Sequence, residues 1–290
     1  MHHFTIRDVE NLSGIKAHTL RMWEQRYGLC VCKRKESLHR YYDNEDLKHI
    51  LRISWLYHNG YRISKIAAMS HGEINQLATQ TFKADEYEVM VNQLVECGLD
   101  YNEVLFEKIL RQLRQSMGVE KTMEKVIYPF LSKIGLLWIT GHVLPAQEHF
   151  CSHLIQKMII TATNELPPPK YPDCRVLLFT PRGEMHDLPL LFVQYIIKKK
   201  GARALMLGRN STEEMLAYCC EHQQVTHLYF HFITNFTNDD TATYIGQLSK
   251  QFPDKQILAS GTALQGVTDL PANVRVLYSP QDVIDLQLPG

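Results

Sequence analysis

The 290-residue sequence predicts a multidomain protein of three differently built modules. A winged helix-turn-helix (all-α with a small wing) is expected over 1–75, a four-helix bundle over 85–165, and an α/β domain with a flavodoxin-like parallel sheet over 174–290. Three observations carry this reading. Two short helical segments at the N-terminus meet at a glycine and run into a basic stretch without helical period. The middle of the chain carries apolar residues at three- and four-residue spacing throughout. Beyond a proline cluster, short apolar runs alternate with helical ones, the pattern of a parallel sheet covered by helices. The composition agrees: 45% hydrophobic and 21% charged residues are globular proportions. No apolar run reaches the roughly 18 residues of a membrane span, and the N-terminus lacks a signal-peptide core, so the expected location is the cytoplasm. Seven cysteines without a C-x-x-C pair suggest buried reduced thiols, with neither a disulfide framework nor a zinc site.

Residues 4–13, FTIRDVENLS, set Ile6, Val9 and Leu12 on one face of a short helix that Gly14 ends. KAHTLRMWEQRYG follows, with Leu20, Trp23 and Tyr27 at helical spacing and Gly28 where a helix stop belongs. Such a pair of helices is a helix-turn-helix whose second helix enters the DNA major groove. Its N-terminal outward positions, Lys16, His18, Thr19 and Arg21, are the candidates for reaching base edges. The next stretch, CKRKESLHRYY, reads as a basic hairpin wing bearing Lys33, Arg34, Lys35, His39, Arg40 and Tyr41, set to lie along phosphates. Charge supports this. Residues 1–70 hold twelve Lys or Arg against seven Asp or Glu on a chain that is neutral overall. A third helix, DNEDLKHILRISWLYHNG, is capped at Asp43, and a fourth starts near Ser64.

The middle segment splits at Gly98, Gly118 and Gly141 into four amphipathic helices. Trp138 is followed after nine residues by Glu148 and His149 at the start of the last helix. An indole beside a carboxylate and an imidazole could cap a large planar ligand; a core tryptophan and a glutamate favoured by the helix dipole account for the same residues. Pro167, Pro168, Pro169 and Pro172 then form a stiff linker. Past it, CRVLLFT, ARALMLG, HLYFHFI, QILASG and VRVLYS read as five strands, with helices between the successive strands through ILASG. Ligands of such sheets bind at the carboxyl ends of the strands. The loop after the first strand, PRGEMHDLP, sits there and carries His186; a solvent-facing histidine without a role is the other reading.

The ordered pieces I-x-x-V-x-x-L-S-G-I, T-L-R-M-W-E-Q-R-Y-G-L, H-R-Y-Y-D-N-E-D-L and G-Y-R-I-S-K-I resemble the MerR family of transcriptional regulators. The W-E-x-R-Y-G wording is closer to its photoreceptor and cobalamin-linked branch than to its metal sensors, whose ligand cysteines have no counterpart. W-x9-E-H is similar to the bundle of the CarH/LitR group of adenosylcobalamin-dependent light-responsive repressors. There these residues cover the upper face of the cofactor. The loop around His186 resembles the D-x-H-x-x-G pattern of cobalamin-binding modules. That resemblance assigns His186 as the lower ligand of cobalt, Glu184 as the acid that orients it, and Pro189 to the glycine position. His231 stands nearest the family's strand-end serine, and Ser260-Gly261 replaces its Gly-Gly pair. Ile139 takes the place of a histidine that serves light sensing. The implied function is a DNA-binding regulator, homodimeric or of higher order on double-stranded operator DNA, that senses cobalamin or, through adenosylcobalamin, light. Two other readings stay open at this point: the same regulator with a module that answers to a protein partner or another ligand, and a cobalamin-dependent methyl carrier or enzyme. No Ser/His/Asp set, carboxylate pair or phosphate loop stands out, so the chain is not expected to be an enzyme.

Overall fold

The computed structural model describes residues 4–34, 40–58, 60–80, 86–139, 143–233, 241–264 and 267–288. The chain forms two compact units, Met1–Ile155 and Gln156–Gly290.

In the first unit α1 (Ile6–Ser13) opens on a reciprocal cap: Thr5 Oγ1 accepts from the Asp8 N–H while the Asp8 carboxylate accepts from the Thr5 N–H. Phe4, expected within that helix, instead pairs with Tyr42 in an antiparallel bridge, since the Thr5 cap ends the helix behind it. Gly14 turns left-handed at φ 71° and leads into α2 (Ala17–Tyr27), which buries Leu20 and Trp23 and stops at Gly28. Strands β1 (Lys33–Arg34) and β2 (Arg40–Tyr41) pair antiparallel as the base of the wing. Reciprocal bonds between Asp43 and Asp46 cap α3 (Asn44–His58), and α4 (Ile63–Ala67) follows. A further helix, α5 (His71–Gln80), goes beyond the sequence reading; its start was legible in Ser70-x-x-Glu73, a reciprocal cap that the structure forms.

The bundle stretch contains α6 (Glu86–Leu99), α7 (Glu103–Thr122), a π-helical turn over Met123–Ile127, α8 (Tyr128–Ile139) and α9 (Pro145–Asn164). Gly98 does not separate helices as expected. It lies inside α6, where a Cβ would stand 2.6 Å from Cys151 Sγ, so its lack of a side chain lets α6 approach α9. The turn comes later, at Asp100–Asn102, where Asn102 caps α7. Gly118 does break the path, at φ 79° and ψ 171° inside α7, and Gly141 lies outside the described residues. Head and bundle stretch share one unit because α3 and α6 are joined by ion pairs. Lys48, only 5% exposed, places Nζ 2.6 and 2.7 Å from the two Asp100 oxygens and 3.0 Å from Glu45; Arg52 lies 2.6 Å from Glu96.

The second unit is built on β3 (Tyr171–Pro181), β4 (Ala202–Ser211), β5 (His227–His231), β6 (Gln256–Ser260) and β7 (Val274–Leu277). All are parallel, in the order β4-β3-β5-β6-β7. Its helices are α10 (Leu188–Lys199), α11 (Glu213–His222), α12 (Thr241–Gln251) and α13 (Pro280–Ile284). Phe179, Leu228, Phe230, Ile257 and Ala259 bury the strand centres, and Ile245 and Leu248 of α12 pack on them. The chain leaves β3 to one side for β4 and returns on the other for β5. This is the topological switch point, and it puts the ends of β3 and β5 at the ligand-binding edge of such a sheet. Among the described residues, no helix is long and apolar enough to cross a membrane.

Candidate functional site

The outer surface of α2 is a single stripe. His18, Arg21, Met22, Gln25 and Arg26 are exposed at alternating three- and four-residue spacing, opposite buried Leu20 and Trp23. Of the residues expected to reach base edges, His18 and Arg21 lie in this stripe and Thr19 is half-buried beside it. Lys16 precedes the first turn, and its Nζ is 3.1 Å from Glu10 on α1. Met22, Gln25 and Arg26, not among the residues expected from the sequence, share the stripe by the same spacing. In the wing, Lys33 is ion-paired to Asp43 and to Asp46, and these bonds raise its pKa. Tyr41 is half-buried in β2, and Arg34 and Arg40 pair through the strand backbone. Lys35 and His39 lie outside the described residues.

On the bundle stretch, Trp138 near the end of α8 is 52% exposed, so it is not the core tryptophan that its apolar surroundings in sequence would also allow. Glu148 lies in the first turn of α9, accepts from Ser152 Oγ at 2.5 Å, and has exposed His149 at 3.6 Å. For Ile139 only the helical backbone is described.

The second unit assembles its polar groups at the switch point. After β3, the Glu184 N–H closes a turn on the Pro181 carbonyl with Gly183 at φ 86°. Thr180 Oγ1 donates to the Glu184 carbonyl at 2.7 Å, and Asn210 Oδ1 accepts from the Gly183 N–H at 2.9 Å. Glu184 itself is fully buried. Its Oε2 accepts from the Ile233 N–H at 2.8 Å; its Oε1 accepts from the His186 N–H at 2.9 Å and stands 2.5 Å from His186 Nδ1. An ionised Glu184 would accept from an Nδ1–H of His186, whose ring is about half exposed. Pro189 falls in the first turn of α10, where a helix has no use for the missing N–H. The ends of β5 and β6 carry a second cluster. Ser260 Oγ is 2.6 Å from Tyr229 OH and 2.7 Å from His231 Nδ1. Burial holds His231 neutral by lowering its pKa to about 4, and raises that of Tyr229. Gly261, at φ 121°, presses against the Phe232 backbone where a Cβ would otherwise lie. Thr180, Asn210, Tyr229 and Ile233 had no signal in the sequence as parts of this site, because their roles depend on strand neighbours far apart in the chain. Among the described residues, no three His, Cys, Asp or Glu groups are gathered as a metal cage; a histidine backed by a carboxylate can supply one axial ligand to a metal already held in a macrocycle.

Two stretches of the chain match known families. Residues 4–73 match the MerR helix-turn-helix family of regulatory proteins, and residues 90–161 match the B12 binding domain. The chain is a MerR-type transcriptional regulator with a B12-binding domain. Among curated proteins, this regulator is 23% identical to the HTH-type transcriptional repressor CarH of Myxococcus xanthus, over 73% of each chain. It is 28% identical to the repressor CarA of the same organism, over 74% of its own length and 71% of that protein's. In fold it resembles the monomethylamine corrinoid protein of Methanosarcina barkeri at TM-score 0.54 and 12% identity, over 68% of the regulator and 95% of that chain.

Proposed function

We propose that the regulator binds operator DNA through the exposed face of α2 and that cobalamin controls this binding. The Glu184–His186 pair carries the reading. A buried carboxylate locks the imidazole in the tautomer whose Nε2 would ligate cobalt, and a backbone bond from the same carboxylate to Ile233 holds it rigidly in place. Cobalamin, when bound, would supply a cobalt that His186 could ligate, with Glu184 orienting the imidazole. The residues fit that demand: Glu184 replaces the family's aspartate yet reaches Nδ1, and Pro189 is absorbed as a helix-starting residue. On the bundle stretch, Trp138 offers an exposed indole face and Glu148 and His149 offer polar groups that suit a corrin and its amide side chains. One helix-turn-helix touches few bases, so a homodimer or larger assembly is proposed to pair two heads on a two-part operator. The relatives named as transcriptional repressors support a regulatory role in preference to turnover.

The test is reconstitution of the full chain with hydroxocobalamin in the dark, followed by desalting, a visible spectrum and a gel-shift assay. Wild type is expected to keep the corrinoid, and His186→Ala to lose at least about tenfold in affinity. A wild-type protein that emerges colourless, or that holds cobalamin with no change in DNA binding, refutes the proposal.

A further inference from the structure

We propose that this site accepts a corrinoid whose nucleotide arm is missing or remains outside the protein, and that His231 enforces the selection. The inference rests on the reading of His186 as the cobalt ligand. In free cobalamin the lower axial position is filled by a benzimidazole at the tip of a nucleotide arm. An imidazole that binds there expels this base, and the arm must then find room on the same face of the corrin as the imidazole. For His186, that face is the switch-point edge of the sheet, where Glu184 is bonded to the segment directly following β5.

The ground beside His186 is built up by side chains and by backbone. Tyr229 is fully buried and Ser260 nearly so, and both are hydrogen-bonded to each other. His231 closes the row at the end of β5, bonded to Ser260 and two residues before Ile233, whose N–H is bonded to Glu184. Behind them the strand ends are tied together: the Phe232 N–H donates to the Ser260 carbonyl at 2.9 Å, and the Phe232 carbonyl accepts from the Ala263 N–H at 3.1 Å. Gly261 has its side-chain direction occupied by the Phe232 backbone. A nucleotide arm entering between β5 and β6 would have to break these bonds and displace the His231 ring.

The hydrogen-bond logic also separates the two histidines. Buried Tyr229 and His231 Nδ1 share Ser260 Oγ as their hydrogen-bond partner, whereas His186 Nδ1 is bonded to the buried Glu184 carboxylate. His231 is thus tied into the strand ends through a hydroxyl, and the carboxylate that orients a metal-binding imidazole is on His186. His231 is accordingly a selecting residue and not a rival ligand.

The experiment compares wild type with His231→Ser, using diaquocobinamide, which has no nucleotide arm, and hydroxocobalamin. Affinities are read from visible absorption titrations, and thermal melting confirms that each protein is folded. Cobinamide also escapes the cost of expelling its own base, so the decisive quantity is the change in the ratio between the two proteins. Wild type is expected to favour cobinamide by about tenfold or more, and His231→Ser to improve hydroxocobalamin binding by about tenfold while cobinamide binding stays level. A ratio that does not move with the substitution overturns the inference, as does equal binding of both corrinoids by wild type; either result leaves His186 standing as ligand. Binding of neither corrinoid overturns both readings. Should His231→Ser fail to fold, His231→Asn, which keeps an acceptor for Ser260 in a smaller side chain, is read by the same criteria.

Discussion

The exposed face of α2 and the strand ends around His186 are both sets of polar side chains, yet they are made in opposite ways. The α2 face comes from one helix: His18, Arg21, Met22, Gln25 and Arg26 are ordered by helical spacing alone and stand in solvent. The strand-end cluster comes from three strands and their loops, with its key carboxylate fully buried and its members bonded in chains from Ile233 through Glu184 to His186, and from Tyr229 through Ser260 to His231. Substitutions on the helix face should therefore add up nearly independently, whereas those at the strand ends should be coupled.

The largest effect is expected from Glu184→Ala. It takes the acceptor from the part-buried Ile233 and His186 N–H groups and empties the space of a fully buried side chain, at a cost of up to about 1–3 kcal/mol for each stranded donor. A clear fall in melting temperature should accompany loss of corrinoid binding. Glu184→Gln keeps one carbonyl oxygen and should melt closer to wild type while still weakening the corrinoid. If Glu184→Ala melts as wild type does, the strand ends are not the coupled unit described.

Acid gives the next largest effect. Burial lowers the His231 pKa to about 4, and burial with neighbouring His71 and Arg52 does the same to His49, which stacks on His71 at 3.7 Å. An unfolded histidine takes up its proton near 6.5, so between pH 6.5 and 4 the unfolded chain binds more protons than the folded one. Stability is then complete above about pH 6.5 and falls as pH drops toward 4, by up to about 1.4 kcal/mol per pH unit for each such group. Urea midpoints at pH 7 and pH 5 test this: His231→Ser and His49→Phe should each flatten the dependence, His231→Ser in the sheet unit's transition and His49→Phe in the helical unit's. A dependence untouched by both substitutions would mean that neither histidine is held neutral.

The same contrast explains what the sequence revealed. Element types and strand content could be read because apolar spacing is local, and the T-x-x-D and S-x-x-E caps of Thr5 and Ser70 are written in four residues. His186 was legible from its loop at the strand ends, and Glu184 only through the resemblance of that loop to the D-x-H-x-x-G pattern. The partners that make them a site were not: Ile233 reaches Glu184 from 49 residues away and Ser260 meets His231 across 29. Gly98 misled for a related reason. A glycine read along the chain suggests a break, and only the approach of Cys151 from another helix shows that it serves packing.

The smallest prediction returns to the α2 face and sets two cations against each other. A lysine or arginine that neutralises a phosphate releases counterions, so its removal lowers the salt slope of binding by about 1. Arg26 is exposed on the α2 stripe, and Arg26→Ala should flatten the slope by that amount, with an effect on affinity that is similar across operator sequences. Lys33 was expected from the sequence to lie on phosphate, but its charge is already matched by Asp43 and Asp46 at the wing base. Lys33→Ala should therefore leave the slope close to wild type while loosening the start of α3. Gel shifts at three salt concentrations distinguish the two. Equal losses for both variants would show that DNA draws Lys33 away from its carboxylates, and that the wing rearranges on binding while the α2 face does not.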